Sequence, residues 1–345
     1  MKAVALTGPQ RLEVIDVPSP KLSSDKDVLL KIERVGVCGS DLHYFEHGRI
    51  GSRVVRPPFI PGHECSGIVV EIGAAVTRVK QGQRVAVDPA MSCGQCDQCL
   101  SGRPHTCRNL RFLGCPGESD GALCEWLVMP EACLYPADER LSADQVALCE
   151  PLSIGMYAVR LSQLTAGASV LILGSGPIGL CVYCAARSAG AGEVCMTDLV
   201  EERIQFAKKM GADWSGNAAK QDMVALLRQR RPEGFDVAFE CAGKQSTLDE
   251  AVELLKPGGK IVIVGIPRED RVSFPIDLLR RKELAIINVR RQNHCVRPAL
   301  DAVASGAVPV ERLATHWFPP EGAQAAFEMV RDYRDGVIKA MIVFA

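Results

Sequence analysis

The chain has 345 residues, 47% of them hydrophobic, with 40 basic against 41 acidic side chains and a formal net charge of -1. Interspersed charges of both signs leave no footprint for nucleic acid or an anionic membrane. The length exceeds what one ordinary core supports, so two domains are expected.

The opening stretch MKAVALTGPQRLEVIDVPSP holds only a short apolar run before Thr7-Gly8-Pro9 and does not read as a signal peptide. Up to about residue 150 the chain reads as short strands broken by Gly and Pro: Val28–Val37, Cys65–Gly73 and Gln83–Pro89. Within this region SCGQCDQCLSGRPHTC places Cys93, Cys96, Cys99 and Cys107 close enough for their sulfurs to meet. In a reducing cytoplasm, clustered cysteines among a total of 15 suggest metal ligands rather than a disulfide framework. A bacterial ferredoxin run would bring its fourth cysteine sooner and follow it with proline, whereas Arg108 follows Cys107. Four thiolates suit a closed tetrahedral zinc site, which braces a fold and leaves no room for substrate.

The pattern changes after Glu150-Pro151. Strands are expected at Ser169–Leu173, Glu193–Asp198, Phe235–Cys241, Lys260–Ile266 and Glu283–Val289. Helices are expected over Gly174–Ala191, Glu201–Gly211, Gln221–Arg231 and Ser246–Leu255, with a turn at Lys256–Lys260. This alternation is the signature of a doubly wound parallel sheet. The most membrane-like stretch, Ser169–Ala186, is interrupted by Gly-Ser-Gly-Pro and fits a buried strand and turn better than a spanning helix. The last apolar segment, Lys339–Ala345, is expected to return to the first domain and make it discontinuous.

Gly174-Ser175-Gly176-Pro177-Ile178-Gly179 matches G-x-G-x-x-G between an expected strand and helix, with Asp198 nineteen residues after Gly179 at the next strand end. Gly174 permits the tight turn, Gly176 the approach of backbone N–H groups to a pyrophosphate, and Gly179 the close packing of the helix on the sheet. Asp198 suits the ribose hydroxyls and would repel a 2′-phosphate, which argues for NAD over NADP; Arg203 lies one helical turn on. The bland alternative is a structural turn with a capping aspartate.

A second set of ligand-type residues is Cys38, His63-Glu64 and Cys149-Glu150. A lone buried Cys or His is more often core than ligand. Here, however, Asp41 lies three residues after Cys38, where it could orient a metal-bound His63, and Cys149-Glu150 lies at the domain junction.

VGVCGSD, GHE, the four-cysteine lobe, EPLSIG and VLILGSGPIGL, in this order over essentially the whole chain, resemble the zinc-dependent medium-chain dehydrogenase/reductase family. CGSDLHYFEHGRIG and EPLSIGMYA are most similar to its sorbitol/xylitol (polyol) dehydrogenase branch. The resemblance implies an α/β protein: a β-rich GroES-like catalytic domain, residues 1–150 and 291–345, and a Rossmann NAD-binding domain, residues 151–290. It implies two zinc ions: a structural one on the four lobe cysteines, and a catalytic one on Cys38 and His63. The catalytic shell is completed by Glu64 or by Glu150, directly or through water, with Cys149 open as an alternative. Ser40 and His43 match the proton-relay positions, and Tyr44 and Arg290 the positions that meet sugar hydroxyls.

The implied reaction takes a secondary alcohol of a polyol to a ketose, with NAD as hydride acceptor. Arg291 departs from the branch, which carries tyrosine there; paired with Arg290 it could receive a carboxylate, making a sugar acid (aldonate) the alternative substrate. His47, His105, His294 and His316 read as structural or solvated. The segment Ser273–Val289 is implied as a subunit contact of a homodimer or homotetramer. Rival readings are a non-catalytic, zinc-clasped nucleotide-binding protein, a zinc-free reductase of activated alkenes, and an amino-alcohol dehydrogenase of the threonine type.

Overall fold

The computed structural model describes residues 1–267 and 269–344. The chain divides into two compact units, Met1–Glu150 with Val296–Ala345, and Pro151–Cys295. The second crossing thus falls at Val296, where the sequence suggests residue 291. The first crossing lies inside one continuous helix, Ala143–Ser162, with Pro151 in its interior. The sequence marks Glu150-Pro151 as a change of pattern; the structure carries the helix through it, at the expense of one backbone hydrogen bond.

The first unit is built on a sheet ordered Leu134–Pro136, Arg84–Val87, Glu64–Ile72, Asp27–Gly36, Lys339–Val343 and Ala314–Phe318, with Trp126–Pro130 also paired to Asp27–Gly36. Alternation along Asp27–Gly36 sends Val28, Leu30 and Ile32 into a core shared with Phe45, Phe59 and Phe327. Two features of this sheet position the candidate site. Strand Glu64–Ile72 runs antiparallel to Asp27–Gly36 with Gly36 opposite Glu64. The late strand Lys339–Val343 lies on the other side, with Met341 opposite Gly36. Residues remote in sequence therefore meet at one end of the central strand.

The second unit is a six-stranded parallel sheet ordered Trp214–Asn217, Val194–Asp198, Val170–Leu173, Phe235–Glu240, Leu255–Ile263 and Ala285–Asn288. Val170–Leu173 is buried throughout, as its unbroken apolar run requires in a parallel sheet. The order reverses between Val170–Leu173 and Phe235–Glu240, the switch point at which such sheets bind ligands.

Two local expectations change. Trp214–Asn217 is an edge strand that its sequence, Trp-Ser-Gly-Asn, does not announce; it is held by one-sided pairing to Val194–Asp198. The turn at Lys256–Lys260 lies within the strand Leu255–Ile263: Phe235 pairs with Leu255 and Val237 with Lys260, so the extra residues bulge out without breaking the pairing. Among the described residues, no helix is long and apolar enough to cross a membrane.

Candidate active site

Cys38 precedes the helix Gly39–His47 as its N-cap, just beyond the end of the central strand. Its backbone N–H donates to Asp41 Oδ2 at 3.2 Å, which fixes the turn that presents the thiol. Just before the neighbouring strand Glu64–Ile72, Gly62 adopts φ 97°, and a Cβ there would lie 2.9 Å from Val35 Cγ1. This turn delivers His63 and Glu64 opposite Cys38, and Gly62 N–H donates to Asp41 Oδ1 at 3.2 Å. Gly36 has room for no side chain either: its Cβ would meet Glu64 Oε2 at 2.4 Å.

The ligand atoms of Cys38, His63 and Glu64 all lie within 4.8 Å of one another. One sulfur, one nitrogen and one oxygen, converging in a largely buried place, form a donor set that fits zinc with a position left open. Asp41 Oδ1 is 3.6 Å from His63 Nδ1, a close charge contact longer than a hydrogen bond. Burial pushes the His63 imidazole down, but the neighbouring Asp41 and Cys38 outweigh it, so the net shift is upward.

Sequence reasoning missed Lys339. Its Nζ donates to Glu64 Oε1 at 2.8 Å, to Glu64 Oε2 at 2.6 Å and to the Val37 carbonyl at 3.1 Å, with the two side chains only 3% and 2% exposed. The available signal was a lysine opening an otherwise apolar strand, a position where a charge stays buried only if it is paired.

Glu150 and Cys149, on the helix Ala143–Ser162, are buried but do not belong to the group of three. Burial pushes the Glu150 carboxyl up to about 8; His63 and Lys339 oppose this, while Glu64 and Asp88 add to it. Burial likewise pushes the Cys149 thiol up to about 12, and it donates to the Gln145 carbonyl at 3.2 Å. With its thiol turned to its own helix, Cys149 lies outside the convergent group of Cys38, His63 and Glu64.

Around this cluster, Ser40 Oγ lies 3.3 Å from Cys38 Sγ. His43 is half-buried, with its ring centroid 6.0 Å from that of His47. Tyr44 is buried, its hydroxyl donating to Cys115 Sγ at 3.8 Å, and burial pushes its phenol well up. Of the arginines, Arg290 is exposed, and Arg291 is half-buried with a left-handed backbone at φ 55°.

Cys93, Cys96, Cys99 and Cys107 form a second group within the same 4.8 Å limit. Their sulfurs lie 3.4 Å (Cys93–Cys107), 3.6 Å (Cys96–Cys99) and 3.8 Å (Cys96–Cys107) apart, far beyond a disulfide bond of about 2.05 Å. Backbone N–H groups of Cys93 and Asn109 both donate to Cys107 Sγ at 3.3 Å, and those of Arg108 and Cys99 draw the Cys96 thiol down to about 6. Four convergent sulfurs receiving backbone donors are a fit for a structural zinc.

In the second unit, Gly174 has φ 107° and Gly176 is the N-cap of the helix Pro177–Ser188, which has no side-chain cap. A Cβ on Gly179 would lie 1.9 Å from the Gly174 carbonyl oxygen, and one on Gly176 would lie 3.3 Å from Arg203 Nη1. Gly179 is therefore closed to a side chain, and the Arg203 guanidinium stands over Gly176, which suits a pyrophosphate. Ile178 lies half-buried in the first helical turn. Asp198 does more than wait for a ribose: its Oδ2 accepts from Ser175 N–H at 2.7 Å, and its Oδ1 from Leu199 N–H at 2.7 Å and Val200 N–H at 3.0 Å.

Comparison with known proteins agrees with this geometry. Residues 24–139 match the alcohol dehydrogenase GroES-like domain, and residues 177–305 the zinc-binding dehydrogenase domain. A sorbitol dehydrogenase of Bacillus subtilis (strain 168) is 35% identical over 343 residues, covering 99% of this chain and 97% of that one. An L-idonate 5-dehydrogenase of Vitis vinifera is 35% identical, covering 88% and 84%. A crystal structure from Sinorhizobium meliloti 1021, described as a zinc-binding dehydrogenase bound to NADP, superposes with a TM-score of 0.91 at 32% identity, covering 99% of both chains. With both units matched and relatives aligned along nearly its full length, the chain belongs to the zinc-dependent medium-chain dehydrogenase/reductase family, in its polyol dehydrogenase branch.

Proposed function

We propose that this enzyme oxidises a secondary alcohol of a neutral polyol, of the sorbitol, xylitol or galactitol type, to a ketose with NAD. The observation that carries the reading is the convergence of Cys38, His63 and Glu64 on one point in a largely buried site. When bound there, zinc supplies Lewis-acid polarisation of the substrate hydroxyl, and NAD supplies the hydride acceptor. Cys38, His63 and Glu64 hold the ion, with Asp41 keeping the imidazole in place. Glu150, buried on the helix Ala143–Ser162 and within electrostatic reach of His63 and Glu64, would complete the shell directly or through water. Ser40 Oγ, beside Cys38 Sγ, receives the proton of the reacting hydroxyl and passes it to His43. Cys93, Cys96, Cys99 and Cys107 hold the structural ion.

The turn Gly174–Gly179 and Arg203 hold the pyrophosphate. Asp198, its charge fixed beside the turn, disfavours a 2′-phosphate, in contrast to the NADP carried by the Sinorhizobium structure. A sugar acid is the second reading: Arg290 and Arg291 are adjacent, and one relative is named for an aldonate. Tyr44, with its hydroxyl already turned to Cys115, contributes its ring edge more than its oxygen to a substrate.

The strand Ala285–Asn288 ends its sheet with Ile286 37% exposed, and Ile276 nearby in sequence is 74% exposed. An open apolar edge of this kind favours pairing with a second copy, so we take the enzyme to be a homodimer or a homotetramer built from such dimers. Free thiols throughout favour the cytoplasm.

The test is NADH formation by purified enzyme with sorbitol, xylitol, galactitol and aldonates, with NADP run in parallel. Turnover of neutral polyols with NAD supports the reading. Turnover of aldonates alone moves the substrate to the sugar acids, and a preference for NADP removes the role given to Asp198.

A further inference from the structure

The geometry points to a recognition site in the first unit for the hydroxylated tail of an open-chain polyol, in a cavity of about 550 Å³ bounded by Arg53, Arg56, Phe59, Glu118 and Asp120. The inference rests on the dehydrogenase reading above and adds to it where the unreacting part of the substrate lies.

Two segments form the walls. One is the short hairpin of Arg49–Ile50 with Arg53–Val54; the other is the turn after Cys115, where Glu118 and Ser119 N–H groups both donate back to the Cys115 carbonyl. Arg53 Nη2 reaches across to Glu118 Oε1 at 2.7 Å. Glu118 Oε2 is buried without a hydrogen-bond partner among the described residues, an acceptor still to be used. Arg56 is exposed and makes no hydrogen bond or ion pair with the described residues, so it is a donor still to be used. Asp120 Oδ1 accepts from Ile60 N–H at 3.3 Å and keeps capacity for more.

Charge decides the class of ligand. Two guanidinium groups stand against two carboxylates, so the lining is neutral, and an anion brought in would face Glu118 and Asp120 as well as the arginines. A hydroxyl both donates and accepts, and so finds a partner at either kind of wall. The buried ring of Phe59 offers an apolar face to C–H groups.

Position links the cavity to the reacting end. Phe59 precedes His63 by four residues, at most about 14 Å of extended chain. Its ring also meets that of Tyr44 edge-on at 6.0 Å. Tyr44 in turn lies six residues after Cys38, about 9 Å of helical rise. A hexitol or pentitol can span part of such a distance, whereas isopropanol cannot.

The experiment compares kcat/KM for xylitol and for isopropanol in the wild type, Glu118→Gln and Arg56→Gln, with melting temperatures alongside; Arg56→Gln touches no folded contact and guards against misfolding. Losing one charge-assisted hydrogen bond should lower the xylitol-to-isopropanol ratio about tenfold, through KM rather than kcat. Ratios unchanged in both variants, or xylitol and isopropanol falling together, overturn the proposal. So does a loss confined to aldonates in Arg56→Gln, which would make the cavity an anion site. If the wild type oxidises no alcohol, the dehydrogenase reading fails first. Calorimetric titration of xylitol then decides the cavity alone: binding weakened by Arg56→Gln keeps it, and no binding, or binding equal in both proteins, removes it.

Discussion

The two groups of metal-ligand side chains differ in how the chain assembles them. Cys93, Cys96, Cys99 and Cys107 come from one short stretch folded around the helical turns Asp97–Leu100 and Pro104–Thr106. Cys38, His63 and Glu64 come from the ends of two paired strands, and the lysine that neutralises Glu64 arrives 275 residues later. The first group needs only its own loop. The second exists only if the whole sheet of the first unit has formed, so its chemistry and the global stability of that unit are coupled.

Single substitutions at five positions test this contrast, from the largest expected effect to the smallest. His63→Ala should cut turnover about 10⁴-fold, more than 5 kcal/mol of barrier. Metal analysis should find one zinc lost and the lobe ion retained, while Cys96→Ser should lose the other ion and keep most turnover. Loss of both ions from either variant would break the distinction between a local and an assembled site.

In the metal-free protein, Lys339→Met leaves the Glu64 carboxylate buried beside no cation. Removing one partner of such a pair should cost about 3–5 kcal/mol, read as a shift in the urea midpoint. The double variant Lys339→Met/Glu64→Gln should recover a good part of it. A single variant as stable as the wild type would mean that the pair contributes nothing to the fold.

Asp236 supplies the partly exposed counterpart of that buried pair. It accepts from Ser169 N–H at 2.8 Å and Ser169 Oγ at 2.6 Å, and pairs with Lys256. Burial pushes its carboxyl up, but Lys256 and Ser169 outweigh that and bring it to about 2, from 3.8. A depressed carboxyl stabilises the fold fully above its unfolded value, and the contribution disappears as pH falls from about 4 to about 2. Asp236→Asn should therefore cost about 1–2 kcal/mol at neutral pH, after allowance for solvent, only a small part of that near pH 2, and nothing well below it. An equal difference at both ends of a pH series of denaturation curves would rule this out.

Asp198→Ala should give the smallest change: about a tenfold gain in the NADP-to-NAD ratio of kcat/KM, worth roughly 1.4 kcal/mol. Because Asp198 also receives the Ser175 N–H, NAD affinity should fall as well. A fall in NAD affinity with no change in the ratio would leave Asp198 as a brace for the turn and remove its part in selecting the cofactor.

Legibility followed the same division. The four cysteines, the G-x-G-x-x-G turn and the strands of the parallel sheet could be read because their residue types act at short range. The strand Trp214–Asn217 could not, since Gly216 and Asn217 disfavour extension, Trp214 alone favours it, and the neighbouring strand imposes it. Pro151 suggested an interruption; packing of the helix Ala143–Ser162 overrides it. Lys339 could be read as a charge opening an apolar strand, but its partner could not, because Glu64 lies in a strand that only the completed sheet brings beside it.

By itself, the sequence determined the alternation of strands and helices, the spacing of the lobe cysteines and the glycines that no side chain could replace. These are consequences of periodicity and of sterics within a few residues. Only the tertiary structure decided that Glu64 is held by Lys339, that the Cys149 thiol turns to the Gln145 carbonyl of its own helix, and that Glu118 faces Arg53 across a cavity. Each of these depends on burial and on partners far away in the chain, and the free energy of a charge is set by where the fold puts it.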